Sequence, residues 1–265
     1  MAETGETSAA PRKRSPPRRV QVARVQELSP AMRRITLAGP ELAGFPEHLP
    51  ASYIKLIFPL PGQSEPPVPT PDGPRPTTMR TYTPLHFDAA ALQMDVDFVI
   101  HGEGPASTWA AQAQVGQHLL LMGPGPGYKL DESAAQHWLI GDDSALPAFE
   151  TVLAALPAFA AAQVLVEVVD AREERPLGGP VATEVRWLPR GPDNTAAGQA
   201  LEAALRNLPP PPQARIYLAC EAAAMRRIRQ LLVDELGVPR SQIVGRGYWK
   251  LGTVNHPDHD YGEDA

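Results

Sequence analysis

The sequence predicts an antiparallel six-stranded β-barrel followed by an α/β domain built on a parallel sheet. Two patterns carry this expectation. Over residues 20–130, short alternating apolar runs recur at close spacing with one helical candidate among them, as in a small antiparallel barrel. After about Asp131, short apolar, β-rich runs alternate with helix-forming stretches, which argues for βαβ units. A chain of 265 residues with 43% hydrophobic content can bury a core in each of two ordinary domains.

In order, VQVARVQELS alternates like a strand, and a Ser-Pro turn leads into a second strand, MRRITLAG. In SYIKLIF, Ile54, Leu56 and Phe58 share one face, while Tyr53, Lys55 and Ile57 share the other. Residues 59–76 form a proline-rich loop with no strand or helix pattern. RTYTPLHF and LQMDVDFVI follow, the latter with an inward stripe of Leu92, Met94, Val96, Phe98 and Ile100. ASTWAAQA is the helical candidate, and QHLLLMGP closes the first domain. In the second domain the strands are WLIG, VLVEVV, EVRWL, RIYLAC and QIVGRG. The helices are LPAFETVLAAL, GQALEAALRNL and EAAAMRRIRQLLVDEL. The expected divisions are a disordered tail over 1–19, a barrel over 20–130, an α/β domain over 131–252 and an acidic tail over 253–265.

Charge and composition exclude several classes. Lys plus Arg is 24 against Asp plus Glu 30, a net of −6, which is not the balance of a nucleic-acid-binding protein. No apolar run approaches membrane-spanning length, so no membrane association is expected. The cationic cluster Arg12, Lys13, Arg14, Arg18 and Arg19 has no apolar segment behind it and does not read as a signal peptide. A single cysteine, Cys220, cannot form an internal disulfide, in keeping with a reducing compartment. The expectation is a cytoplasmic monomer.

Two stretches carry candidate chemistry. On a strand, Arg80 and Tyr82 share a face and Thr83 takes the other. Arginine supplies charge-assisted hydrogen bonds to phosphate, tyrosine a stacking face, and threonine a hydroxyl for a ring nitrogen. Taken alone, the same residues read better as barrel packing and a solvated arginine. Downstream, VDFVIHGEGPASTWAAQA runs from a strand through Gly102 and Gly104 into a helix that begins at Pro105. Free amides and the positive end of a helix dipole would favour an anion there.

RTYT, DVDFVIHGEGPASTWA, GDDSALPAFETVL and the terminal GYWKLG occur in the order found in the siderophore-interacting proteins, and residues 20–252 resemble that family. These proteins are FAD-dependent ferric-siderophore reductases of the ferredoxin–NADP reductase superfamily. The resemblance implies a flavin-binding barrel, an α/β domain for NADPH or NADH, and FAD between them. It places Arg80 near the FAD phosphates, Tyr82 against the isoalloxazine and Thr83 near its reactive edge, with Thr81 in the same strand. Backbone of Asp97, Phe98 and Val99 would meet the pyrimidine end. His101, Gly104, Pro105, Ala106, Ser107 and Thr108 would line the pyrophosphate and ribityl side.

In the second domain, Asp142, Asp143 and Ser144 are good helix caps, with Pro147 in the first turn. The resemblance also brings Asp142, Ser144 and Ala145 near FAD or the nicotinamide, and sets Trp249 beside the flavin. Two carboxylates at this turn would repel a phosphate, so the nicotinamide site is less defined than the flavin site. Arg172 and Arg175 read as solvated loop arginines, with a 2′-phosphate contact as the alternative. Cys220 reads as a buried structural cysteine. Lys55, Lys129, Arg246 and Lys250 are the expected substrate-binding cations, placed to attract an anionic ferric siderophore. His256 and His259 have no spacing specific to a metal, and neither a protein metal site nor a catalytic acid or base is expected. A ferredoxin is the alternative electron donor.

Overall fold

A computed structural model of the chain describes residues 16–70, 73–102, 104–178, 183–190, 196–254 and 256. Most of the expected terminal tails, including His259, lie outside the described residues. Strand β1 begins at Arg18, earlier than expected, because Arg18 and Arg19 pair with Leu121 and Leu120 instead of joining the tail.

The first domain holds seven strands: β1 (Arg18–Ser29), β2 (Met32–Ala38), β3 (Ile54–Ile57), β4 (Met79–Tyr82), β5 (Leu85–Asp88), β6 (Gln93–Val99) and β7 (His118–Met122). They form one antiparallel sheet in the order β4-β3-β7-β1-β2-β6-β5. The expected count of six is therefore corrected to seven. RTYTPLHF is two strands broken at Thr83–Pro84, where proline has no N–H to continue a ladder.

The sheet curls strongly. β3 and β6 are four strand steps apart, about 19 Å on a flat sheet, yet the rings of Phe58 and Phe98 lie 6.2 Å apart. Strands β4 and β5 are the two free edges, and the Thr83–Pro84 link carries the chain directly from one to the other. A covalent seam thus joins the edges. Alternating residues fill the interior: Val20, Val22, Ile35, Leu37, Ile54, Leu56, Met94, Val96 and Phe98 are each at most 1% exposed. On the opposite face of β3, Ile57 packs in a small cluster with Met79 and Leu120. Helix α1 (Pro105–Ala111) plugs the core with Trp109, 5.1 Å from Phe58 and 5.9 Å from Phe98.

The second sheet is parallel throughout, in the order β10-β9-β8-β11-β12. Its strands are β8 (Gln136–Asp142), β9 (Ala161–Val168), β10 (Thr183–Pro189), β11 (Arg215–Glu221) and β12 (Ile243–Trp249). Period-two alternation sorts β11 cleanly. Tyr217 and Ala219 face the layer of α2 (Leu146–Ala155), while Ile216, Leu218 and Cys220 face α3 (Gln199–Asn207) and α4 (Ala222–Gln230). Both faces of the central strands β8, β9 and β11 are covered, which explains why they read as near-continuous apolar runs. Cys220 is 1% exposed and burial pushes its thiol up, as a structural cysteine requires. Gly141 is needed by close approach, since a Cβ there would stand 2.1 Å from the Ala219 carbonyl oxygen. Among the described residues no helix is long and apolar enough to cross a membrane.

The domains are tied by polar contacts. Arg34 holds Asp97 from the barrel and Glu150 from α2, and Arg175 reaches the same two carboxylates. Glu173 accepts from the Ala31 amide at 3.1 Å and from the Ser29 hydroxyl. The Ala51 amide donates to Thr151 Oγ1 at 2.8 Å. Arg175 is corrected from a solvated loop residue to an interface ion, with its side chain 10% exposed. Arg172 is solvated as expected, paired with its neighbour Asp170.

Candidate functional site at the barrel seam

The seam gathers most of the residues singled out from sequence. The Tyr82 ring leans on Phe98 at 4.4 Å and Phe58 at 6.2 Å, which brings the RTYT strand and the DFV strand into contact. Burial pushes the Tyr82 phenol up, partly offset by Arg80. Arg80 donates from Nη1 to the carbonyls of Thr77 and Met79, both at 2.8 Å. Its Nε and Nη2 have no hydrogen-bond partner among the described residues. Burial lowers the Arg80 pKa, although the group stays charged. Thr81 is exposed beside Lys55, its cross-strand partner.

Residues 97–99 offer a ligand little beyond backbone. The Phe98 side chain is sealed in the core, and Asp97 accepts two hydrogen bonds from Arg34, at 2.7 and 2.8 Å. Burial raises the Asp97 pKa, while Arg34 lowers it. Val99 is half-buried.

The turn into α1 is braced from within: the His101 amide donates to Ser107 Oγ at 2.8 Å. Ser107 therefore contributes a brace rather than a free hydroxyl. His101 and Thr108 are exposed, Ala106 is buried, and Pro105 follows an extended Gly104 N-cap. The first-turn amides have no acceptor within the helix.

Across the seam stands the end of β12. Tyr248 OH lies 2.8 Å from Tyr217 OH, and Thr83 stands nearby. Tyr217 in turn packs on Tyr128 at 4.9 Å. The arrangement brings Tyr248, Tyr217 and Tyr128, with its exposed neighbour Lys129, into one neighbourhood, and Arg246 lies two residues before Tyr248 in the same strand. Lys250 is exposed just beyond, and the Lys55 ammonium lies 5.6 Å from the Tyr53 ring.

Asp142 acts as a hub. Its carboxylate accepts from Trp249 Nε1 at 2.8 Å, the Glu221 amide at 3.0 Å, and the amide and hydroxyl of Ser144. These four protein donors occupy it, so any ligand contact at this turn falls to its neighbours; Ala145 is fully buried. Burial raises the Asp142 pKa and pushes Asp143 up to about 7, with Asp142 adding to the Asp143 shift.

Family models match almost the whole of both domains: residues 21–128 match the siderophore-interacting FAD-binding domain, and residues 134–252 match the siderophore-interacting protein model. The chain belongs to the siderophore-interacting proteins. This siderophore-interacting protein is 33% identical over 254 residues to a ferric vibriobactin reductase, ViuB, of Vibrio cholerae, covering 92% of this chain and 93% of that one. It is 36% identical over 163 residues to an NADPH-dependent ferric-chelate reductase of Escherichia coli, covering 59% of this chain and 63% of that one. The siderophore-interacting protein SipS from Aeromonas hydrophila superposes with a TM-score of 0.77 at 32% identity, covering 90% and 93% of the two chains. At the level of fold alone, the ferredoxin reductase of carbazole 1,9a-dioxygenase superposes with a TM-score of 0.64 at 17% identity, covering 86% and 68%.

The seam of this siderophore-interacting protein suits FAD. Half-buried Arg80 has donors to spare for phosphate, and a Cβ at Gly102 or Gly104 would meet nothing within 4 Å, leaving open space before α1. Sequence reasoning missed three groups: Tyr217, Glu167 and Glu221. Glu167 had a signal, as the lone charge in the apolar run VLVEVV.

Proposed function

We propose that this oxidoreductase reduces Fe(III) held by a siderophore, using FAD and electrons from NADPH or NADH. The supporting observation is the seam itself. Thr83, the residue after the β4 strand that bears Arg80 and Tyr82, stands near Tyr248 at the end of β12, so a flat ring bound by β4 would lie close to the second domain. The names of the Vibrio and Escherichia relatives agree with this chemistry, and the latter favours NADPH.

FAD, when bound, supplies the conversion of a two-electron hydride donor into single electrons. The chain's own groups position. Arg80 would pair with phosphate through its remaining donors, Tyr82 would pack against the isoalloxazine, and Thr83, beside Tyr248, would face its reactive edge. Trp249 is fixed by its indole bond to Asp142 and excludes water from that side. Lys55, Lys129, Arg246 and Lys250 draw an anionic ferric chelate to the exposed rim. Hard oxygen ligands bind Fe(II) less well than Fe(III), so reduction releases the iron. An outer-sphere electron step needs no side-chain acid or base, and none is assigned.

The test is anaerobic stopped-flow of the purified yellow protein. Each nicotinamide should bleach the flavin absorbance, and each ferric siderophore should restore it. Equal turnover of ferric siderophores, simple ferric chelates and free flavins would replace the siderophore assignment with general flavin reductase activity. A donor role restricted to a reduced ferredoxin would show as absence of bleaching by either nicotinamide.

A further inference from the structure

In open parallel sheets a nucleotide sits outside the carboxyl ends of the strands, at the point where strand order reverses. Here that point lies between β8 and β11, the first strands of the two halves of the order β10-β9-β8-β11-β12. Three helices, α2, α3 and α4, start at this edge. A helix start can hold a pyrophosphate because its first amides are unpaired and its dipole is positive.

In this chain several amides at these helix starts are already taken by the protein's own carboxylates. Glu167, in β9, accepts from Gly198 at 2.8 Å and from Ala200 at 3.2 Å, at the start of α3. Glu221 accepts from Ala224 at 2.8 Å, at the start of α4. Asp142 accepts from Ser144 at 3.1 Å, ahead of α2. All three carboxylates are at most 5% exposed, and Asp143 stands beside them at 8%. Arg190, whose Nε lies 3.8 Å from Glu167, has its charge matched within the protein. An incoming pyrophosphate would meet buried carboxylates seated on several of these amides instead of an open anion hole.

We infer that Glu167 and Glu221 are specificity-determining residues that deny the donor's pyrophosphate a seat at this sheet edge, so that a nicotinamide dinucleotide is engaged through its nicotinamide end. The inference rests on the nicotinamide-donor reading above and defines how that donor is held. Glu167 is the stronger determinant because it fills two amides of one helix start.

The test compares NADH with reduced nicotinamide mononucleotide, which lacks the pyrophosphate and adenylate, on the FAD-loaded protein. Dissociation constants come from anaerobic stopped-flow. Calorimetric titration with ADP-ribose, which carries the pyrophosphate without nicotinamide, reads binding independently of turnover. The two reduced nucleotides should bind within about threefold of each other, and ADP-ribose should give no binding heat. Glu167→Gln keeps an acceptor for the α3 amides but removes the charge. It should tighten NADH by about three- to tenfold, leave the mononucleotide unchanged, and create detectable ADP-ribose binding. NADH binding at least about tenfold tighter than the mononucleotide in the unmodified protein, with ADP-ribose competing, would overturn the inference. That comparison needs no variant and stands even if Glu167→Gln fails to fold. Failure of both reduced nucleotides to bleach the flavin would overturn the donor reading beneath it. The two failures are distinguishable because the mononucleotide carries no pyrophosphate.

Discussion

Arg34 closes on Asp97 with two parallel hydrogen bonds, Nε to Oδ1 at 2.7 Å and Nη2 to Oδ2 at 2.8 Å, between residues directly opposite each other on β2 and β6. The Asp97 side chain is fully buried, and the Arg34 Nη2 also reaches Glu150 at 3.1 Å in the second domain. With Arg175, the four groups balance two positive charges against two negative. Replacing one partner leaves a buried charge uncompensated. Arg34→Met should therefore cost about 3–5 kcal/mol in urea unfolding. Removing Asp97 as well restores the balance, so the Arg34→Met, Asp97→Leu double variant should be more stable than the sum of the single changes predicts.

Asp143 makes the protein's stability fall as pH rises. Its folded-state acid is pushed up to about 7 by burial and by Asp142, whereas in the unfolded chain it has an ordinary carboxylate value. Between those values the folded state binds more protons, so raising the pH through this window destabilises it. Asp143→Asn removes the penalty. Its melting temperature should exceed that of the parent near about pH 8, by the equivalent of about 2–4 kcal/mol, and converge with it near about pH 4. Thermal scans across that range check the sign.

Arg80→Ala should weaken FAD binding by about tenfold or more, the loss of at least one charge-assisted hydrogen bond. Fluorescence titration of the cofactor-stripped protein measures it. Unchanged affinity would remove the phosphate role from Arg80.

Lys55→Glu combined with Lys250→Glu should raise the KM for an anionic ferric siderophore by about tenfold and flatten its dependence on salt. Turnover of a neutral acceptor should be little affected. Steady-state assays over a series of ionic strengths separate this from a general loss of activity.

Much of the fold was legible because burial on both faces writes itself into sequence. The central parallel strands appear as apolar runs, and Gly, Pro and acidic caps mark where the helices begin. The division of RTYTPLHF was harder to see, since its residues are all strand-compatible and only Pro84 marks the break. Arg175 was misread because a loop arginine carries no local trace of partners that lie far along the chain, Glu150 and Asp97. At the site, Arg80, Tyr82 and Thr83 were visible as a motif. Tyr248 stands near Thr83 only after the two domains meet, a relationship that no local pattern encodes.

The absence of a side chain at Gly141 has a lasting consequence for how this protein can change. Even a methyl group would collide with the carbonyl of Ala219, prising apart the two central strands one residue before Asp142 gathers its four donors. Attempts to re-engineer electron-donor preference by diversifying the GDDSA turn must therefore hold this position constant. Variation there would unzip the middle of the sheet before it altered recognition.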